Sequence, residues 1–304
     1  MEAVNNMPPM PSAAEAIKPI NKQTVKQKLW AYRKQPLSFL LLLLVLISIS
    51  ITVLVLLFLI GYIVVKGVVN LSPSLFAWEY NSENVSMTPA IINTIIVVAL
   101  TLVIAVPIGI ASAIYLVEYA KRGNKIVGII DVTTETLSGV PSIVYGLFGY
   151  LLFKETLEFG YSIMGGVLTL AIMILPLIMR TTQEALKSVP DSYREGSFGL
   201  GAGKLRTVFK IILPSAVPGI LAGIILAIGR IVGETAALIY TAGTVAGLPS
   251  GLFDSGRTLA IHMYALLSEG LYTNQAYATA LVLMVIVLGI NALSGLVAKK
   301  VGTK

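Results

Sequence analysis

The chain has 304 residues, 56% apolar and only 12% charged, against roughly 25% charged in a soluble domain. A water-soluble globule of this length has too little interior to hide that much apolar surface, which excludes ordinary soluble enzymes, disordered chains and coiled coils. Apolar runs of about 20 residues match the hydrocarbon thickness, and a membrane barrel would alternate polar and apolar residues instead, so the fold class is an all-α polytopic membrane protein. The net charge of +7 then reads as basic cytoplasmic loops rather than a nucleic-acid surface. With no cysteine and a single histidine, His262, the chain offers no disulfide, thiol chemistry, Cys-ligated metal or His cluster.

Residues 1–36 are polar, proline-broken and carry Lys18, Lys22, Lys26, Lys28, Arg33 and Lys34. They read as a cytoplasmic tail ending in a short interfacial helix around Trp30. The apolar run Leu37–Val65 is too long for a signal-peptide core and is expected as an uncleaved first span, with the external loop running to residue 89. Five further spans are expected: about Ala90–Val117, Thr136–Phe153 after a polar lead-in from Ile126, Ile163–Met179, a span from near Ile211–Ser215 past Ile228, and Gln275–Val297. Residues 299–304 form a basic C-terminus. Eighteen of the 22 Lys and Arg fall on the side of the two termini, three (Lys66, Lys154, Arg257) on the other, and Arg230 within the fifth span. That bias puts both termini in the cytoplasm, which requires an even number of spans and agrees with six. Between the last two spans, Leu259, Met263 and Leu266 at helical spacing predict an amphipathic helix on the outer membrane face, with His262 an interfacial residue on it.

The connection 180–214 is too rich in structural signals for a plain linker. Val189-Pro190 is a helix boundary, Asp191 or Ser192 is a natural N-cap, and the glycines from Gly199 to Gly203 suit a helix end. A short helix alone in water is marginal, so a protein partner is one reading and a solvated connector the other. Its residues Glu195-Gly196-Ser197, then Gly201, then Ile211 and Leu213-Pro214, resemble the EAA loop of bacterial ABC importer permeases, with Gly-Ser in place of Ala-Ala. In that family the loop is a coupling helix seated in a separate ATPase. The resemblance implies a type I (MetI-like) permease core over residues 90–298. Gly201-Ala-Gly-Lys204 is flanked wrongly for a Walker A loop, so ATP and Mg would be used by the partner subunit and no cofactor is expected on this chain.

Narrower similarity lies in Leu137–Gly149, in Arg180-Thr-Thr with Glu184, and in Gly229-Arg-Ile-Val-Gly-Glu-Thr-Ala-Ala237. These resemble phosphate permeases, the last together with Thr258–Tyr264 resembling the PstA type more than the PstC type. This implies a phosphate importer in which the chain forms half of a pathway, partnered by a PstC-type permease, an ATPase dimer and an extracytoplasmic phosphate-binding protein in a prokaryotic plasma membrane. The residues assigned to the pathway are Arg230, Glu234, Thr235, Ser142, Tyr145 and Arg180. An intramembrane arginine is costly and faces a cavity or counter-ion, or else snorkels to the interface. Glu234, four residues on, is expected to pair with Arg230 on one helix face. Pro141 is expected to kink the third span, and Asp131 and Glu135 read either as a proton relay or as an interfacial pair for nearby Lys or Arg. Another oxyanion (sulfate or molybdate), a stand-alone proton-coupled carrier, or a scaffold without transport remain the competing readings.

Overall fold

A computed structural model describes residues 36–121 and 123–302, so the expected tail and its Trp30 helix, Arg122 and Lys304 lie outside the described residues. The chain divides into two compact units, Met1–Gly61 and Tyr62–Lys304. The described part of the first unit belongs to helix α1 (Pro36–Val69), an almost unbroken Leu, Ile and Val sequence. At 1.5 Å per residue its 34 residues reach about 51 Å, longer than a bilayer's hydrocarbon core.

The second unit contains α2 (Thr88–Tyr119), α3 (Lys125–Ser138), α4 (Ser142–Thr156), α5 (Ile163–Lys187), α6 (Asp191–Gly199), α7 (Lys204–Val232), α8 (Ala236–Thr241), α9 (Leu259–Glu269) and α10 (Thr273–Gly302). No strand occurs among the described residues. Five helices (α1, α2, α5, α7, α10) are long and apolar enough to cross a membrane, and the bent pair α3–α4 makes a sixth if it counts as one span. The expected all-α, six-span architecture is found in that form.

Local chemistry sets these boundaries. Asn124 caps α3 by accepting the Ile126 N–H, and the Ser162 hydroxyl caps α5 by accepting from Gly165. α9 stops at Gly270, which takes the left-handed conformation at φ 73°. α5 is the central helix and packs against α2, α3, α4, α7 and α8. Small residues let neighbours approach closely, as lipid-embedded packing requires. A Cβ on Gly149 would stand 2.1 Å from the Thr169 hydroxyl of α5, and one on Gly223 would stand 2.2 Å from that of Thr181.

Four expectations are corrected. The third span is not one kinked helix. α3 and α4 meet at 101°, because Pro141 takes extended backbone (ψ 142°) and cannot continue the ladder from Ser138. The helix that carries the fifth span starts earlier than expected, at Lys204, and runs through a π-helical stretch at Val208–Ile212 before its apolar part from near Leu213. Helix α6 begins at Asp191 with Pro190 in the cap position, so neither Asp191 nor Ser192 is the cap. Finally, α9 forms as expected but turns the face carrying Leu259 and Leu266 onto the protein, leaving Tyr264, Leu267, Ser268 and Glu269 exposed. Leu259, Ala260, Ile261, His262, Ala265 and Leu266 are all buried, because α2 and α10 pack against it. His262 is therefore core, not interfacial.

Candidate functional site

Two regions at opposite ends of α7 carry the sequence-assigned residues. Arg230 lies in the last turn of α7, about 39 Å from Lys204 at 1.5 Å per residue. It is half-buried. Among the described residues no carboxylate lies within 4.0 Å of it. It is close enough to Tyr145 on α4 to act on that hydroxyl electrostatically. Tyr145 is buried and its OH donates to the Leu137 carbonyl at 2.9 Å, bracing α4 against the end of α3 across the break. Ser142 occupies the first turn of α4, one turn before Tyr145.

The expected Arg230–Glu234 pair is not formed. The i, i+4 rule presumes a continuous helix, but α7 ends at Val232. Beyond that break Glu234 is buried, and its Oε1 accepts the Ala237 N–H at 3.1 Å in the first turn of α8. Its carboxylate thus complements a helix N-terminus, where negative charge is favoured. Thr235 precedes the same helix, which is wedged between α4 and α5. Arg180 stands apart from Arg230, facing Glu184 at 3.3 Å and Glu135 of α3 at 3.6 Å. Asp131 accepts from Gln183 at 3.1 Å. The α3 carboxylates therefore act as interhelix partners, lining with Arg180 and Lys187 a cleft of about 220 Å³.

At the other end, α6 and the start of α7 form a compact loop. Gly201, the glycine of the EAA-like pattern, holds φ +80°, a conformation that other residues adopt at a cost. Ser197, buried, shares a 2.8 Å hydrogen bond with the Thr207 hydroxyl and so ties α6 to α7. Glu195 and Gly196 are exposed. Ile211, Leu213 and Pro214 lead into the membrane portion of α7, where Ile211 and Leu213 pack with buried Ile212 against α5 residues Ala185 and Leu186. Around this frame Tyr193, Phe198, Leu200, Leu205 and Phe209 are left exposed, Leu200 at 91%. Five large apolar groups left uncovered on α6, its following loop and the first turns of α7 are available to a partner surface.

Sequence reasoning missed two features. One is the Arg194–Glu118 ion pair, at 2.7 Å and largely buried. Arg194 also donates to the carbonyls of Leu186 and Val189 and to Asp191, so it fastens α6 to the ends of α2 and α5. The hydrogen-bonded Glu118 carboxylate pushes the Arg194 guanidinium up from its ordinary value. Nothing local in sequence signals the pair, whose members are 76 residues apart. The other is Arg257, buried in the connection between α8 and α9; its distance along the chain from any other basic residue is the signal for it.

The family described as binding-protein-dependent transport system inner membrane component matches residues 105–303. The chain belongs to this family of ABC transporter permeases. It is 31% identical over 289 residues to the phosphate transport system permease protein PstA of Yersinia pestis, covering 90% of this chain and 93% of that one. It is 35% identical to the probable ABC transporter permease protein YqgI of Bacillus subtilis, over 70% of this chain and 77% of the relative. Among solved structures, a bacterial alginate ABC transporter in complex with its pentasaccharide-bound periplasmic protein shares the fold at a TM-score of 0.67 and 15% identity, over 89% of this chain and 98% of that one. An inward-facing MetNI methionine transporter does so at 0.55 and 18%, over 71% and 94%. As a PstA-type permease, the chain is a multi-pass membrane component of its transport system and not an enzyme.

Proposed function

We propose that this permease is the PstA-type half of an ATP-driven inorganic phosphate importer. The observation that carries the reading is Arg230: a half-buried guanidinium near the end of a membrane helix, with no carboxylate within 4.0 Å among the described residues. A guanidinium fork offers a tetrahedral oxyanion two parallel hydrogen bonds, and a partially desolvated arginine lacking a counter-charge is a binding group in waiting. The similarity to PstA permeases supports phosphate as that anion.

In this reading Tyr145, Ser142 and Thr235 line the pathway beside Arg230, and Glu234 acts indirectly by fixing the start of α8. Arg180 gates the other end through its contacts with α3. A PstC-type subunit supplies the facing half of the pathway, and an extracytoplasmic phosphate-binding protein delivers the ion. An ATPase dimer engages the exposed face of α6, with Glu195 and Gly196 at the contact, Ser197 tied to Thr207 beneath them and Gly201 setting the turn that follows. ATP binding closes that dimer and moves α6. Arg194 and Ser197 transmit the movement to α2, α5 and α7, and the spans rock between inward- and outward-facing states. Both termini lie in the cytoplasm.

Replacing Arg230 with Gln tests the assignment. The variant is expected to assemble with its ATPase and still lose phosphate uptake by at least a hundredfold. Normal uptake would overturn the site. In the wild type, phosphate uptake that sulfate competes away on equal terms would overturn the anion.

A further inference from the structure

A second cationic site lies among α2, α9 and the 242–258 connection, away from every residue assigned above. Arg257 is 3% exposed, and its Nε and Nη2 are sealed from solvent without a hydrogen-bond partner. No carboxylate lies within 4.0 Å among the described residues. Its guanidinium carbon sits 4.7 Å from the centre of the Tyr80 ring. A cation–π contact offsets part of the burial cost but satisfies no N–H donor.

The backbone around the side chain is held firmly. The Arg257 N–H donates to the Val245 carbonyl at 3.0 Å, and its own carbonyl accepts from Asn93 Nδ2 at 3.2 Å. The next turn is pinned by the Leu259 N–H donating to the Thr94 hydroxyl at 2.8 Å. Beside this frame four more polar atoms are sealed and unpartnered: Thr258 Oγ1, at the N-cap of eleven-residue α9, Asn93 Oδ1, and both ring nitrogens of His262, whose imidazole shares the Tyr80 ring with Arg257. The N-terminus of α9 thus adds its positive end to an arginine that immediately precedes its cap.

The unpartnered atoms match one class of ligand. Nε–H and an Nη2–H form the side-on edge of the guanidinium fork, which binds two oxygens of one oxyanion at once. The Thr258 hydroxyl is a further donor. Asn93 Oδ1 is an acceptor, which a protonated oxyanion such as monohydrogen phosphate satisfies and a fully ionised one does not. We infer that Arg257, Thr258 and Asn93 form a second, buried binding site for a small inorganic oxyanion at the N-terminus of α9, separate from Arg230. An anion there supplies the counter-charge that this part of the fold lacks, so its binding stabilises the packing of α9 against α2.

The test uses the full chain purified in detergent, with melting temperature and calorimetric titration as readouts and inorganic phosphate, sulfate and chloride at matched ionic strength as probes. Phosphate is expected to raise the melting temperature of the wild type and, through the second site alone, that of R230Q, with chloride without effect. R257K keeps the charge but loses the fork. It is expected to fold and to bind phosphate at least about tenfold more weakly, the loss of one charge-assisted hydrogen bond. T258V removes only an unpartnered hydroxyl and is expected to weaken binding several-fold, which keeps the inference testable if R257K does not fold. Both changes are made in the R230Q background, where only the second site remains, and an affinity there equal to that of R230Q alone overturns the inference. No response to phosphate or sulfate also overturns it, and points to a partner protein's carboxylate as the counter-charge. A response lost in R230Q but kept in the single R257K variant overturns it too, while leaving the pathway reading intact.

Discussion

Two largely buried side chains that meet only through the tertiary fold carry the sharpest consequences. The Glu118 and Arg194 side chains are 7% and 16% exposed, and they join at 2.7 Å where three helix ends meet. Removing one partner of a buried pair strands the other's charge, so Glu118→Ala is expected to cost about 3 kcal/mol in thermal unfolding. The double variant with both residues changed to Leu is expected to cost clearly less than the sum of the two single changes, because neither charge is then left uncompensated. Strict additivity in that cycle would show that the two residues act independently. His262 makes a different prediction. Burial, and then the neighbouring Arg257 charge, hold its imidazole at about 3, below the ordinary 6.5. Between those values the unfolded chain binds a proton that the folded chain does not. Stability is therefore full above about pH 6.5 and falls as the pH drops below it. The loss at pH 5 relative to pH 7.5 amounts to about 2 kcal/mol, and His262→Phe is expected to flatten that slope. An unchanged slope between pH 7 and 5 in the variant would assign the effect elsewhere. Neither feature could be read from neighbours in sequence. Glu118 and Arg194 meet only through the tertiary fold. The leucines flanking His262 show helical spacing, but in a chain this apolar that spacing does not distinguish a lipid-lying face from a buried one.

Among the helices, the α6 loop is the most legible in the sequence and the third span the least, for related reasons. Prolines and glycines act locally, so Pro190 and Gly201 mark α6 correctly to within a residue or two. Pro141 marks a break just as clearly, but its 101° consequence depends on how α4 docks on α5 and α8 through Gly146 and Gly149, which no local signal supplies. The Arg230–Glu234 spacing failed in the same way, since Gly233 ends the helix on which it depended. The loop also yields a separation of effects. Gly201→Ala forces a left-handed residue to carry a Cβ and is expected to destabilise by about 1 kcal/mol, moving α6 relative to α7. Leu200→Asp touches an almost fully exposed side chain, and its effect on unfolding is expected to stay within about 0.5 kcal/mol. If the apolar patch is the ATPase contact, Leu200→Asp nevertheless lowers co-purification of the ATPase and phosphate uptake together. A variant that keeps both would remove the patch from the coupling surface.

The whole molecule rests on one distribution, that of its 22 basic residues. In the orientation proposed from the positive-inside bias, α6, with Lys187, Arg194, Lys204 and Arg206 about it, faces the cytoplasm, and Arg257 and the 3-10 turn at Pro73–Phe76 face outside. Everything proposed about function depends on this orientation. If it were reversed, α6 could not reach a cytoplasmic ATPase and Arg230 would stand at the wrong end of the pathway to receive an ion from outside. The chain provides a clean test because it has no cysteine, so a single introduced thiol reports its own side of the membrane without background. Ser82 and Ser192 are both exposed, one in the loop after α1 and the other in α6. In intact cells, a membrane-impermeant maleimide is expected to label Ser82→Cys and to spare Ser192→Cys until the cells are opened. The reverse pattern would overturn the orientation and the coupling assignment together. Labelling of both sites in intact cells would instead show that α6 is reachable from outside, which a cytoplasmic coupling helix cannot be.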